Sequence, residues 1–561
     1  MAKVKNLDDF ITLGWYCSIV LLAAESMTLT TLASMVYMVY AGAHPTILSC
    51  GSVHFNNTEE ACLRLSSLRE STGCIPELEY QFQSVNVDFD LLCEAGKSVK
   101  NSISLQMFSV LAGSLISGPL SDRYGRKKIL ISSLFGVGLF SLATSLTGTF
   151  LQFNILRAIA GVFTGGLASV LGVYLIENIP KHHRMWINTV VTWSPNFIIY
   201  PIIAYFCHDW RKLSMFSFVI SILTIINLLC LHESPRWLIQ HGRIEEARRV
   251  LASIRRMNGN TCEKEAAEIE EMLKNEHETF ISKQKKSKHY TFYHLVCTWR
   301  YFRWSVTVCS GLIFASLVNY GLLFNMEKLS GSLYWNNTLF GVIRWAINIL
   351  VGASDYFCRC VGRKLVHFVA ITSIIGALAI ICATYLEDHQ FDRSWVIRYC
   401  TIIITSMTSQ LYIAKFIITS ELFPTAVRNI AASALAVSSR LGTIFAPQLF
   451  YLVDIHPVIP YVVLLVVSVI DCIAFQALLP ETKGKNLENH LPPKEERIFY
   501  RKQCVVDIHP VIPYVVLLVV SIIDCIAFQA LLPETKGKNL ENHLPPKEER
   551  IFYRKQCVVE E

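Results

Sequence analysis

Apolar stretches of about twenty residues recur along the whole chain, and this recurrence constrains the fold more than any other feature. A helix needs about 20 mostly apolar residues to cross a hydrocarbon core of about 30 Å. Inside that core a backbone satisfies its own hydrogen bonds only as a helix or a closed barrel. Twelve such stretches stand at 14–40, 102–121, 129–148, 152–177, 186–207, 212–231, 304–325, 338–357, 365–386, 396–420, 429–452 and 458–479. Only 17% of the 561 residues are charged, against the roughly 25% usual in soluble domains, and mean hydropathy is +0.39. A soluble fold is excluded. The expected class is an all-α polytopic membrane protein. Its first apolar stretch is too long for a signal-peptide core and lacks a small-residue cleavage site, so it reads as an uncleaved span.

Loop charge sets the orientation. Segment 43–100 holds four Lys or Arg (Arg64, Arg69, Lys97, Lys100), whereas 232–303 holds fourteen, which places the second inside and the first outside. The net charge of +7 follows from these loops and does not call for nucleic acid. Cys50, Cys62, Cys74 and Cys93 all fall in the outer loop, an even set that suits two disulfides with three possible pairings. Asn56 and Asn336 head Asn-x-Thr sequons in loops placed outside, and both are expected to carry glycans. The plan is an N-terminal six-helix bundle (1–231), a cytoplasmic linker with short charged helices (232–303), a second six-helix bundle (304–480) and a tail (481–561). In the linker, Glu245 and Arg249 have the spacing of a helical ion pair.

Between the second and third spans the chain reads Gly118-Pro-Leu-Ser-Asp122-Arg123-Tyr-Gly125-Arg126-Lys127-Lys128. A small residue for close helix approach stands there beside one carboxylate and a cluster of cations, a composition suited to a latch at the cytoplasmic interface. This resembles the signature loop of the major facilitator superfamily. Further elements agree with that resemblance: Arg157 with Glu177, Pro180 and Arg184 on the fourth span, Glu233-Ser-Pro-Arg236-Trp237-Leu238 after the sixth, Glu421-Leu-Phe-Pro424-Thr425-Ala-Val-Arg428-Asn429 after the tenth, and Pro480-Glu481-Thr482-Lys483-Gly484 after the twelfth. With the cysteine-bearing outer loop and Asn319-Tyr320-Gly321-Leu322, the set is similar to the organic cation, anion and zwitterion branch of that superfamily. The resemblance implies two six-helix bundles with a site between them and alternating access. It casts Asp122, Arg123, Gly125, Arg126, Arg157, Glu177, Arg184, Glu233, Arg236, Glu421 and Arg428 as gating residues. One element departs: in the second copy of the signature loop Arg359 stands where an aspartate belongs, a change that bears on the C-terminal gate.

Ionisable groups within spans are costly, and each is a functional hypothesis. Arg440 lies about eleven residues into its span, roughly 16 Å deep at 1.5 Å per residue, and its guanidinium fork suits a carboxylate. Members of the family that carry anions are similar here. Arg344, Lys415, Tyr320, Tyr412, Phe416, Trp193, Tyr200 and Glu25 complete the expected substrate lining, a cage of cations and aromatic rings for flat organic anions; Lys415 could instead snorkel to the surface. The expected function is transport of small organic ions, anions first, across a lipid bilayer, with the plasma membrane as the location. An exchange counter-anion or coupling ion would drive it, since the phosphate-binding glycine loop and the catalytic motifs are missing. No cofactor or metal is expected. An organic cation or carnitine-type zwitterion carrier, served by Glu25, is the alternative, and a non-transporting sensor of the same fold is another.

Residues 454–505 recur almost unchanged at 507–558, with Val469 becoming Ile522. The copy of span twelve would leave its basic tail outside if inserted, against the positive-inside preference. This duplicated hydrophobic segment is expected to stay out of the twelve-helix core.

Overall fold

The apolar periodicity is realised as twelve long helices: α1 Trp15–Ala41, α2 Lys97–Tyr124, α3 Arg126–Ser145, α4 Phe150–Asn178, α5 Trp193–Cys207, α6 Trp210–Leu229, α7 Trp299–Leu323, α8 Leu333–Phe357, α9 Arg363–Leu386, α10 Ser394–Leu422, α11 Thr425–Leu449 and α12 Ile459–Leu478. The structure is a computed structural model that describes residues 10, 14–55, 58–180, 193–259, 267–274, 292–357, 362–387 and 392–482. Asn56, Arg184, Arg359 and the duplicated segment lie outside these residues. By length and apolarity alone ten of the described helices are able to cross a membrane. The other two are α5, described over fifteen residues, and α8, whose length is interrupted by Asn336, Asn337, Arg344 and Asn348.

Close packing in the N-terminal bundle is set by small residues. A Cβ on Gly113 of α2 would overlap the Val162 carbonyl of α4, and one on Gly165 of α4 would overlap the Val110 carbonyl of α2. Glycine at both positions lets the two backbones touch, which in lipid replaces the missing hydrophobic drive for association.

The two halves meet along α5 with α8 and along α2 with α11. Among the described residues, the hydrogen bonds that join them run from the outer loop down to mid-membrane. Leu333 N donates to Gln81 Oε1 at 2.8 Å and Tyr334 to the Gln81 carbonyl at 2.9 Å. Tyr451 donates to the Lys97 carbonyl at 2.7 Å, and Gln448 to Ser104 Oγ at 3.0 Å. The deepest is Asn348 Nδ2 to Ser194 Oγ, 2.9 Å. From Met27 to Ala41 every residue of α1 is buried, whereas its inner part exposes Leu22 and half-exposes Glu25 and Ser26. The described halves are therefore fastened on their outer side.

The outer loop carries a small fold of its own. Strands β1 (Thr46–Cys50), β2 (Val53–His54) and β3 (Pro76–Glu79) form an antiparallel sheet in the order β2-β1-β3, beside a helix at Thr58–Thr72. Its core is slight, essentially Ile47, Phe55, Ala61, Leu65 and Leu92. Two disulfides, Cys50–Cys74 and Cys62–Cys93, close it and choose one of the three possible pairings. In the linker, Ile244–Met257 is helical as expected, but Glu245 pairs with Arg248 at 3.0 Å.

Candidate functional site

Two clusters of charge stand at the cytoplasmic ends, one per half, built alike. In the first, Gly125 turns the chain at φ +110° between α2 and α3, a conformation that favours glycine. The Glu233 carboxylate sits at the α3 N-terminus and accepts from Arg126 N and Lys127 N, each 3.0 Å, where the helix dipole favours an anion. The Arg126 side chain binds Asp122, donates to Ser121 Oγ at 2.8 Å and reaches Glu177 at 3.5 Å. Trp237 Nε1 donates to the Asp122 carbonyl at 2.8 Å, tying in the Ser-Pro-Arg-Trp turn that holds Arg236. Arg123 lies exposed over Tyr124.

The second cluster repeats this design. Glu481 accepts from Arg363 N and Lys364 N, each 3.0 Å, and Arg363 pairs with Asp355 at 2.7 Å and Glu421 at 3.5 Å. Thr482 Oγ1 donates to Glu421 at 2.5 Å. The acid replaced at position 359 is thus supplied by Asp355, so the departure from the family pattern leaves the C-terminal cluster with its carboxylate. Arg428, in the first turn of α11, keeps two buried guanidinium nitrogens, Nε and Nη2, without an acceptor among the described residues.

Arg157 does not belong to either cluster. It lies near the outer end of α4, 2% exposed, donating to the Ser34 carbonyl at 2.8 Å and stacked 4.2 Å over Tyr37. Expected among the gating residues, it instead holds its cation inside the N-terminal bundle, apart from the cytoplasmic contacts.

At mid-membrane the C-terminal half presents two arginines to the seam. Arg440 is about nine residues, ~14 Å, from the outer end of α11, and Arg344 about eleven residues, ~16 Å, from that of α8. Arg344 stacks on Phe197 of α5 and Phe340, 5.3 and 5.7 Å from the ring centres, and interacts electrostatically with Tyr320 and Tyr412. Its Nε and Nη1 are buried without an acceptor. Among the described residues Arg440 makes one side-chain hydrogen bond, Nη1 to Met35 Sδ at 3.5 Å, and a thioether is a weak acceptor. Neither arginine has a carboxylate partner among the described residues. A chain of hydroxyls leads between them: Tyr412 donates to Ser316 Oγ at 2.8 Å, and Ser316 meets Ser439 Oγ at 3.0 Å. Across the seam Glu25 of α1 accepts from Asn196 Nδ2 at 2.8 Å, while its Oε2 is buried and unpartnered. Trp193 stands half-buried at the start of the described part of α5.

Four other expectations meet a different geometry. Lys415 neither snorkels nor faces the seam: at 0% exposure it pairs with Asp471 of α12 at 2.6 Å and donates to the Gly311 carbonyl at 2.8 Å. Tyr200 is buried in the N-terminal core, edge-on to Tyr40. Phe416 is 41% exposed and is not one of the rings stacked on Arg344, which are Phe197 and Phe340. Asn336 cannot offer its amide to a glycan as placed, being 0% exposed with Nδ2 on the Ser330 carbonyl and Oδ1 accepting from Arg398 Nε at 2.7 Å.

Asn348 was not among the expected residues. Its side chain donates to Ser194 and accepts from Ser409 Oγ and Gln410 Nε2 at 2.8 and 2.7 Å, joining α5, α8 and α10 one turn from Arg344. A polar residue at a helical spacing of four from an intramembrane arginine is the signal that would have found it.

Residues 71–490 match the family described as Sugar (and other) transporter. Similar proteins include mouse solute carrier family 22 member 4, 27% identical with 75% of each chain covered. Solute carrier family 22 member 6-A of Xenopus laevis is 26% identical, over 77% of this chain and 76% of its own. The rat organic cation/carnitine transporter 2 is 27% identical over 74% of each. In fold the chain is similar to the proton:xylose symporter XylE, with a TM-score of 0.58 at 18% identity, covering 84% of this chain and 98% of that one.

Proposed function

This chain belongs to the sugar (and other) transporter family of the major facilitator superfamily, and from that premise we propose that it carries small organic anions across the membrane by alternating access. It is a multi-pass membrane transporter, not an enzyme. The observation that carries the anion reading is the pair Arg344 and Arg440, two cations near mid-membrane with hydrogen-bonding capacity left over and, among the described residues, no acid paired with them. A substrate carboxylate would take up that capacity, since a guanidinium binds a carboxylate through two parallel bonds. Phe197, Phe340, Tyr320 and Tyr412 supply flat apolar surface beside Arg344 for an attached ring. Rocking of the halves about the Asn348–Ser194 contact would break the outer bonds and expose the same arginines to the opposite side. An exchanged anion or a coupled ion supplies the driving force.

One observation favours a second reading. Glu25, half-exposed on the inner part of α1, has one carboxylate oxygen unpartnered among the described residues, which would suit the ammonium of a cation or zwitterion. Uptake into proteoliposomes of labelled benzoate, tetraethylammonium and carnitine separates the readings. Accumulation of benzoate alone is expected; accumulation of tetraethylammonium without benzoate would overturn the anion assignment, and of none of the three would favour a sensor.

A further inference from the structure

Deep in the C-terminal bundle, Lys415 of α10, Asp471 of α12 and His367 of α9 form a closed ionisable triad that touches no part of the seam described above. Lys415 Nζ is 2.6 Å from Asp471 Oδ2, and His367 Nε2 stands 3.4 Å from the same oxygen. All three side chains are at most 2% exposed. His367 lies flat against Phe475, ring centres 3.6 Å apart. Gly311 of α7 closes the remaining side, where even a methyl group would come within 2.8 Å of Lys415 Nζ.

The N-terminal half shows that the fold does not need these charges. Its cytoplasmic cluster repeats the contacts of the C-terminal one, with Arg126, Glu177 and Glu233 answering to Arg363, Glu421 and Glu481. Counted from those anchors, the position of His367 corresponds to Leu130 and that of Lys415 to Leu171, both buried. On α6 the count from Glu233 falls on exposed Leu223, one residue short of the buried register: Ser468, Asp471 and Phe475 of α12 match Ser221, Thr224 and Leu228, which sets Thr224 opposite Asp471. One half therefore packs the same place without a single ionisable group. Apolar side chains in place of a buried ion pair are often as stable or more so, so packing gives no reason for the triad, and buried ionisable groups within spans mark ion and proton pathways.

We propose that the triad is a proton-binding site linked to the cytoplasmic latch of the C-terminal half. Each member sits on a helix that also leads to that latch: His367 is one turn from Arg363, Lys415 six residues before Glu421, and Asp471 ten before Glu481. The groups that act on His367 are Lys415 from α10 and Asp471 from α12, with the Phe475 ring of α12 flat against it; the Gly311 carbonyl of α7 accepts from Lys415. One turn below lie Arg363, Lys364, Asp355, Glu421 and Glu481. A hydronium ion gives its proton to the neutral imidazole, one O–H bond breaking as one N–H bond forms and water being left, and the imidazolium returns the proton to water later in the cycle. The imidazolium then competes with the Lys415 ammonium for Asp471 and adds a positive charge beside Arg363, loosening the Arg363–Glu421 contact. The site deepens the transport reading and rests on it, since it gives that carrier a coupled ion.

The test uses the full-length protein in lipid vesicles with a fluorophore pair introduced at Lys128 and Leu365, exposed and equivalent positions in the first turns of α3 and α9. Energy transfer is measured from pH 5 to 8.5 without substrate. The ratio of the two distance populations should change with pH, by at most about tenfold per unit, the limit for one linked proton, and His367→Gln should flatten it. If that variant does not fold, the combined change His367→Leu, Lys415→Leu and Asp471→Thr copies the N-terminal half and should flatten it likewise. A wild-type ratio independent of pH, or full titration in the variants, overturns the proposal. Benzoate uptake with a pH-independent ratio would sink the triad alone; a titrating ratio without uptake of any probe would sink the transport reading and leave the triad standing.

Discussion

Replacement of Arg440 by glutamine should raise the KM for an anionic substrate by about 10- to 150-fold with the protein still folded. Among the described residues the side chain's only hydrogen bond is to the Met35 sulfur, so its loss removes little from the packing, and the cost to stability should stay under about 1 kcal/mol. Its worth lies in the bond to substrate. A hydrogen bond to a charged group contributes about 1.5–3 kcal/mol, and each 1.4 kcal/mol is roughly tenfold in affinity, which gives the stated range. Arg440→Lys retains the charge but not the fork, and should fall between wild type and glutamine. Arg440→Asp turns attraction into repulsion and should abolish anion uptake. The assay is initial-rate uptake of labelled benzoate in cells, normalised to surface-biotinylated protein, with tetraethylammonium in parallel. An unchanged benzoate KM and maximal rate in Arg440→Gln would refute the reasoning, because the guanidinium could then not be the anion's partner.

Glu327, in the turn after α7 on the outer face, is pushed up to about 7, chiefly by burial, with Lys328, Lys100 and the His44 backbone N–H pulling the other way. Because this value lies above that of the unfolded chain, the stabilisation is complete below about 4.5 and is lost as pH rises through about 7. The loss should not exceed about 3 kcal/mol, visible as a melting temperature that falls between pH 4.5 and 8 and a flatter profile in Glu327→Gln. The disulfides close loops with sequence separations of 24 and 31, worth roughly 3–4 kcal/mol each by loop entropy. Non-reducing peptide mapping should recover Cys50–Cys74 and Cys62–Cys93; any other pairing would contradict the outer fold.

The spans were legible because lipid leaves the backbone little choice, and hydropathy therefore reports helix directly. Boundaries drifted where polar residues extend a helix: α7 begins at Trp299, not 304, since Thr298 caps it, its Oγ1 accepting from Tyr301 N at 3.2 Å. The cytoplasmic clusters were legible as motifs, but the substitution of Asp355 for the expected acid was not, because the two partners are eight residues apart in sequence and meet only through the turn between α8 and α9. Lys415 was misread because its depth was visible and its direction was not: Asp471, on another helix, decides it. The same rule that singled out Arg440 also covers His367 and Asp471, both ionisable within apolar spans, so that signal was present. Sequons report sequence alone, and burial overrules Asn336. The cysteine pairing needed the register of β1 against β3.

The seam is chemically one-sided. Arg344, Arg440, Tyr320 and Tyr412 all stand on α7, α8, α10 and α11, while α1 and α5 contribute Glu25, Met35 and Phe197. A blocker shaped to the cationic wall alone would meet the same groups whichever way the cavity opened, and its potency would not depend on the side of application. One that also grips Glu25 and Met35 spans both halves, fits one orientation of them only, and would be a sided inhibitor.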